Sequence, residues 1–137
     1  MLIHDGELKQ LLLETKTIAI LGAKDSPTSP VDAVGRYMIG QGYRVLPVHP
    51  ARKTVWGLPV FRNLSDIDEP VDIVNLFRAA QFCPAHAVET LACTPLPKCF
   101  WMQSGISSPE ARSILNGSGV LTVEDRCLMV EHRRLLA

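Results

Sequence analysis

A chain of 137 residues with fourteen basic and fourteen acidic side chains has no global field to draw nucleic acid or an anionic membrane. Its length fits one domain spanning 1–137, and 47% apolar against 20% charged residues excludes a disordered chain. Cys83, Cys93, Cys99 and Cys127 lie ten, six and twenty-eight positions apart, which matches neither a C-x-x-C motif nor a small disulfide scaffold, so reduced thiols are expected. No apolar run approaches the roughly 18 residues of a membrane span. The opening Met1-Leu2-Ile3-His4-Asp5 lacks the basic start of a secretion leader, which sets a cytoplasmic expectation.

Asp5, as an N-cap, followed by Leu8, Leu11 and Leu12 at helical spacing, predicts an opening amphipathic helix. Thr17-Ile18-Ala19-Ile20-Leu21 is a continuous apolar run ended by Gly22, the pattern of a strand buried on both faces. A small, polar loop reaches Pro30, and helical spacing resumes from Val31 to Gln41 through Val34, Met38 and Ile39. Tyr43 to Val48 reads as a second strand. Leu58 to Phe61, after a Trp56-Gly57 turn, reads as a short third one.

Val71 to Phe77 is β-rich, and Pro84 to Leu91 after it is helical with proline in the first turn. Cys99-Phe100-Trp101-Met102 is a further buried strand. Ser107-Ser108-Pro109-Glu110 then offers a serine cap, an early proline and a capping-box glutamate for a helix to Leu115. Gly119 to Val123 is the last strand and Leu128 to Leu136 a terminal helix. Strands alternating with helices predict an α/β, Rossmann-like three-layer sandwich: a mostly parallel sheet with helices on both faces.

In such a sheet the ligand crevice lies beyond the carboxyl ends of the strands. The residues there are Gly22-Ala23-Lys24-Asp25-Ser26, Val48-His49-Pro50, Phe77-Arg78 and Gln103-Ser104-Gly105. Together they supply what a nucleotide diphosphate needs: a glycine for close approach, loop N–H groups, cations and flat surfaces for a base. Arg36, inside the first crossover helix, reads instead as a solvent-facing or intramolecular charge. His4, His49, His86 and His132 show no metal-ligand spacing, and neither a G-x-S-x-G elbow nor a Walker loop is present.

These fragments carry a resemblance. Ile18-Ala19-Ile20-Leu21-Gly22, Gly42 through Pro50, Gly57-Leu58-Pro59-Val60, Val71-Asp72-Ile73-Val74, Phe77-Arg78, Trp101 through Gly105, Asp125-Arg126-Cys127 and Glu131-His132 resemble the small stand-alone CoA-binding domains. That family is similar to the nucleotide-binding domain of the succinyl-CoA ligase alpha subunit. The resemblance implies that the loop after Gly22 cradles a pyrophosphate, that His49-Pro50 and Phe77-Arg78 flank the adenosine, and that Gln103-Ser104-Gly105 border the pantetheine. The chain departs from the family where an arginine and a serine-aromatic pair are usual: Ser29, Val31 and Asp32 stand there, and His49 replaces an asparagine.

The resemblance implies coenzyme A or an acyl-CoA as a small-molecule nucleotide ligand, bound without evident catalysis. An NAD(P)-type binding protein or oxidoreductase is an alternative, weakened because Gly22 to Pro27 lacks the later glycines of G-x-G-x-x-G and no acid clearly ends the second strand. A structural or regulatory subunit with a vestigial pocket, acting as a homo-oligomer or with a partner enzyme, is another. Asp125-Arg126-Cys127 is the one cluster in which a cation could activate a thiol, with a buried structural cysteine as the plainer reading.

Overall fold

The computed structural model describes residues 3–137; Met1 and Leu2 of the opening segment lie outside them. Five parallel strands form the main sheet in the order β2-β1-β5-β6-β7, with β1 Thr17–Leu21, β2 Arg44–Val48, β5 Ile73–Leu76, β6 Cys99–Met102 and β7 Leu121–Val123. The predicted Rossmann-like architecture is present. Its sheet is held by apolar alternation: Ile18, Ile20, Ile73 and Trp101 face one layer, while Ala19, Leu21, Val74 and Phe100 face the other.

Helices α1 (Asp5–Glu14), α2 (Pro30–Gly40) and α5 (Leu128–Leu136) cover the first face. Helices α3 (Cys83–Leu91) and α4 (Pro109–Leu115) cover the second. Arg134 of α5 donates two 2.8 Å hydrogen bonds to Asp5 of α1, tying the chain's beginning to its end. Because β1 leaves through α2 on one face and β5 through α3 on the other, the topological switch point falls between β1 and β5. That is where an open α/β sheet has its crevice.

Local chemistry adjusts several predicted boundaries. His4 occupies the N-cap position of α1, and Asp5 lies inside the first turn, where its carboxylate pairs with Arg134. Ser108, not Ser107, caps α4 by accepting from the Ala111 N–H at 3.1 Å. Glu110 therefore stands one position too early to close a capping box, and the Ser107 hydroxyl donates to Glu124.

The segment predicted as one strand, Leu58 to Phe61, is divided. Leu58–Pro59 (β4) pairs antiparallel with Thr54–Val55 (β3) across a turn in which both Trp56 (φ 54°) and Gly57 (φ 72°) are left-handed. Trp56 is held there by Asp32, whose carboxylate accepts its indole N–H at 2.9 Å and the Arg36 guanidinium at 3.0 Å. Arg36 is thus an intramolecular charge. The indole lies on Gly35, where a Cβ would come within 2.2 Å of the ring, so only glycine fits. Phe61 bridges to the outer side of β2, exchanging backbone bonds with Pro47 and His49.

Candidate functional site

The strand ends at the switch point open into a cleft of about 440 Å³ lined by Gly22, Lys24, Ser29, Pro30, Val31, His49, Phe77, Arg78, Ala79 and Ile106. Four separate loops therefore converge on one rim. Of the residues singled out in sequence, Gly22, Lys24, His49, Phe77 and Arg78 form its wall.

The glycine is demanded by the close approach of the chain just beyond the paired ends of β1 and β5. Gly22 has φ +84°, and a Cβ there would stand 2.3 Å from the Phe77 carbonyl oxygen. Its N–H and that of Ala23 both donate to the Val48 carbonyl, at 3.0 and 3.2 Å. Those donors serve the sheet and are closed to a ligand. The other end of the loop is different: Ser29 caps α2 and Pro30 fills its first turn, so the positive pole of an eleven-residue helix opens onto the cleft.

Arg78 is the side chain least explained by the protein itself. Its guanidinium stacks over Phe82, 4.3 Å from the ring centroid, while Nε is buried and has no hydrogen-bond partner among the described residues. A buried, unpaired donor on a cation is costly unless something completes it, and an anion in the cleft would. Volume alone does not single out this cleft. A hollow of about 420 Å³ beside β7 is similar in size, but its cations are already paired, Arg112 to Glu124 and Arg126 to Glu131.

His49 lines the wall as a neutral ring of fixed tautomer. Its Nδ1 accepts the backbone N–H groups of Ala51 and Arg52 at 3.0 and 3.1 Å, which places the proton on Nε2 as a donor. Burial, then the neighbouring Arg52, Arg78 and Lys24, holds its pKa below the usual imidazole value. The unfolded chain thus takes up this proton first as pH falls. The contribution of His49 to stability is complete above its ordinary value of 6.5 and is lost below it. His132, buried against Tyr37 and Tyr43, adds in the same direction. The thermal midpoint is expected to drop between about pH 7 and about pH 5, and less steeply in His49→Gln; an unchanged slope in that variant would remove His49 from the effect.

The remaining predicted positions do not line the cleft, each for a local reason. Ala23 and Val48 are buried in the sheet. Ser26 turns its carbonyl to the Ser29 cap, and Asp25 pairs with Arg52 at 3.2 Å. Pro50 and Ser104 are exposed, and the Gly105 N–H donates to Asp125. Gln103 points inward: its Oε1 accepts from Asn75 at 3.1 Å and from the Leu128 N–H at 2.9 Å, fastening β5 and β6 to the start of α5. Ile106, three residues on, takes the place on the wall that Gln103 was expected to fill.

Sequence reasoning passed over Ser29, Pro30, Val31, Ala79 and Ile106 as ligand contacts. The Ser-Pro pair that opens α2 was the available signal, because it sets a helix N-terminus beside the strand end. All four cysteines are free thiols, and burial pushes the pKa of Cys83, Cys93 and Cys99 upward. No cluster of metal-ligating side chains occurs among the described residues, and no described helix is long and apolar enough to cross a membrane.

Known proteins share this architecture. The uncharacterized protein YneT of Bacillus subtilis (strain 168) is 36% identical over 127 residues, 93% of each chain. The solved structure of a Thermus thermophilus protein, cell-free ID.343, is 44% identical with a TM-score of 0.91 over 98% of this chain and 100% of its own. A hypothetical protein from Pyrococcus horikoshii OT3 is 28% identical with a TM-score of 0.94 over 98% and 94%. The dinucleotide-forming acetyl-coenzyme A synthetase 1 of Ca. Korarchaeum cryptofilum, solved with phosphate and ADP, is 17% identical with a TM-score of 0.68. It matches 82% of this chain with 26% of its own and shares the fold alone. A CoA binding domain model matches residues 16–133, and the chain belongs to that family of CoA-binding domains.

Proposed function

We propose that the chain binds coenzyme A or an acyl-CoA reversibly, as one cytoplasmic binding module, with the ADP moiety in the cleft between the ends of β1, β2 and β5. The observation that carries this reading is the buried, unpartnered Nε of Arg78 on the cleft wall. Lys24 and the N-terminal pole of α2 share that wall and suit the same diphosphate. Phe77 and Ile106 give the apolar surface a base or a pantetheine chain would lie on.

The engagement of two polar lining groups supports binding rather than chemistry. The Ser29 hydroxyl donates to the Ser26 carbonyl and accepts from the Asp32 N–H, and the basic nitrogen of His49 already accepts two backbone N–H groups. Neither is left as a nucleophile or a general base.

Thermal unfolding with CoA, acetyl-CoA, NAD, NADP, FAD and ATP tests the reading. A ligand at about 100 Kd that binds only the native state adds roughly 2.7 kcal/mol. CoA at that level is expected to raise the midpoint by roughly 5–15 °C. No response to millimolar CoA, or a larger response to NAD or NADP, would overturn it.

A further inference from the structure

Six large apolar side chains stand exposed on the described surface, and three of them, Phe82, Val88 and Leu96, belong to α3 and the residues that flank it. Ala85 and Ala92 lie three positions before and four positions after Val88, so the three share one side of the helix, and all three are exposed. The face of α3 turned to solvent is therefore apolar along its whole length. Leu13, Ile39 and Val130 stand singly on α1, α2 and α5, helices that also expose charges at Lys9, Arg36 and Arg133.

Of the five α-helices described, α3 is the one whose exposed positions carry no charge; α4 exposes Glu110 and Arg112. Its histidine and its glutamate are part-buried and closed on each other, His86 Nδ1 lying 2.7 Å from Glu89 Oε1. An acidic or basic partner would find no counter-charge here. The face is also its own complement. Val88 is a knob with a small residue one turn to either side, and a second α3 laid antiparallel across it offers the same knob and the same two hollows. Phe82 precedes the helix and Leu96 follows it, so antiparallel pairing brings the ring of one copy toward the aliphatic end of the other. It also sets the positive pole of each helix against the negative pole of the other. With fourteen basic and fourteen acidic residues, the chain has no net charge to hold two copies apart.

We propose that this face of α3 is the contact between two copies of the chain, an isologous pair with Val88 next to the two-fold axis. The contact lies on the outer side of a helix rather than in the ligand cleft, and it does not rest on the CoA reading. A single helix face is at the small end of specific interfaces, so the pair exchanges with the monomer instead of being permanent. An isologous contact uses up the face on both copies and stops at two.

Sedimentation velocity on the full chain, over a series from about 1 µM to about 1 mM, reads the association directly. The mass is expected to rise from that of a monomer to that of a dimer and to go no further. Because the contact is apolar, added salt should not loosen it. Val88→Arg sets two like charges against each other in the middle of the contact and should raise the dissociation constant at least about 30-fold. Its circular-dichroism spectrum should be unchanged, since Val88 is 57% exposed in the monomer. Val130→Arg alters a similarly open position, 51% exposed on α5, and should leave the pair intact.

A chain that stays monomeric at about 1 mM would overturn the proposal and leave the face to a different protein. So would a dimer that Val88→Arg leaves intact, a dimer that Val130→Arg dissolves as readily, or an assembly that grows beyond two copies. None of these results touches the CoA reading, which stands or falls on its own ligand series.

Discussion

Gly22→Ala is expected to cost about 3–5 kcal/mol of folding stability, a large value for one methyl group. Two causes act together. The left-handed φ of +84° is strained for any L residue, by roughly 1–2 kcal/mol. The new Cβ also meets the Phe77 carbonyl oxygen at 2.3 Å, and that atom is backbone, fixed where Phe77 donates its N–H to Leu21. No side chain can swing away to relieve the contact, so the ends of β1 and β5 must separate. Urea unfolding would show a lower midpoint at unchanged m-value, and CoA affinity should fall as the rim distorts. A loss under about 1 kcal/mol would show that the ends of β1 and β5 are not packed this tightly.

Arg78→Ala has the opposite signature, a large effect on the ligand and a small one on the fold. Loss of a charge-assisted contact to phosphate, roughly 1.5–3 kcal/mol, is about one to two decades of affinity for CoA. The fold should change by less than about 1 kcal/mol, since the visible partner of the guanidinium is the exposed ring of Phe82 and its buried Nε is unpaired. Arg78→Lys separates charge from shape. It keeps the cation and loses the planar stack, so an intermediate affinity is expected. Unaltered CoA binding in Arg78→Ala, measured calorimetrically, would take the residue out of the site.

Much of the fold was legible because burial leaves a period in the chain. Thr17–Leu21 and Cys99–Met102 are continuous apolar runs and coincide with β1 and β6. The β3–β4 hairpin was only half legible, since Thr54–Val55 is too short for a period and sits in a polar stretch. The site was legible in position but not in direction. Lying after a strand brings a residue near the crevice, yet nothing in the sequence says which way its side chain turns. Gln103 went inward because Asn75 and the Leu128 N–H needed an acceptor in the core. Ile106 was missed for a related reason: it follows the end of β6 by several residues and reaches the wall only through the turn in which its N–H donates to the Gln103 carbonyl.

The strap formed by Phe61 has a bearing on how copies of the chain can meet. One margin of the sheet, along β2, is closed twice over, by that strap and by Pro47, which has no N–H to offer. At the opposite margin of the main sheet, the three-residue β7 has no neighbouring strand among the described residues. Edge-upon-edge stacking of copies into a fibre needs both margins of each copy, and the covered end of β2 opposes it.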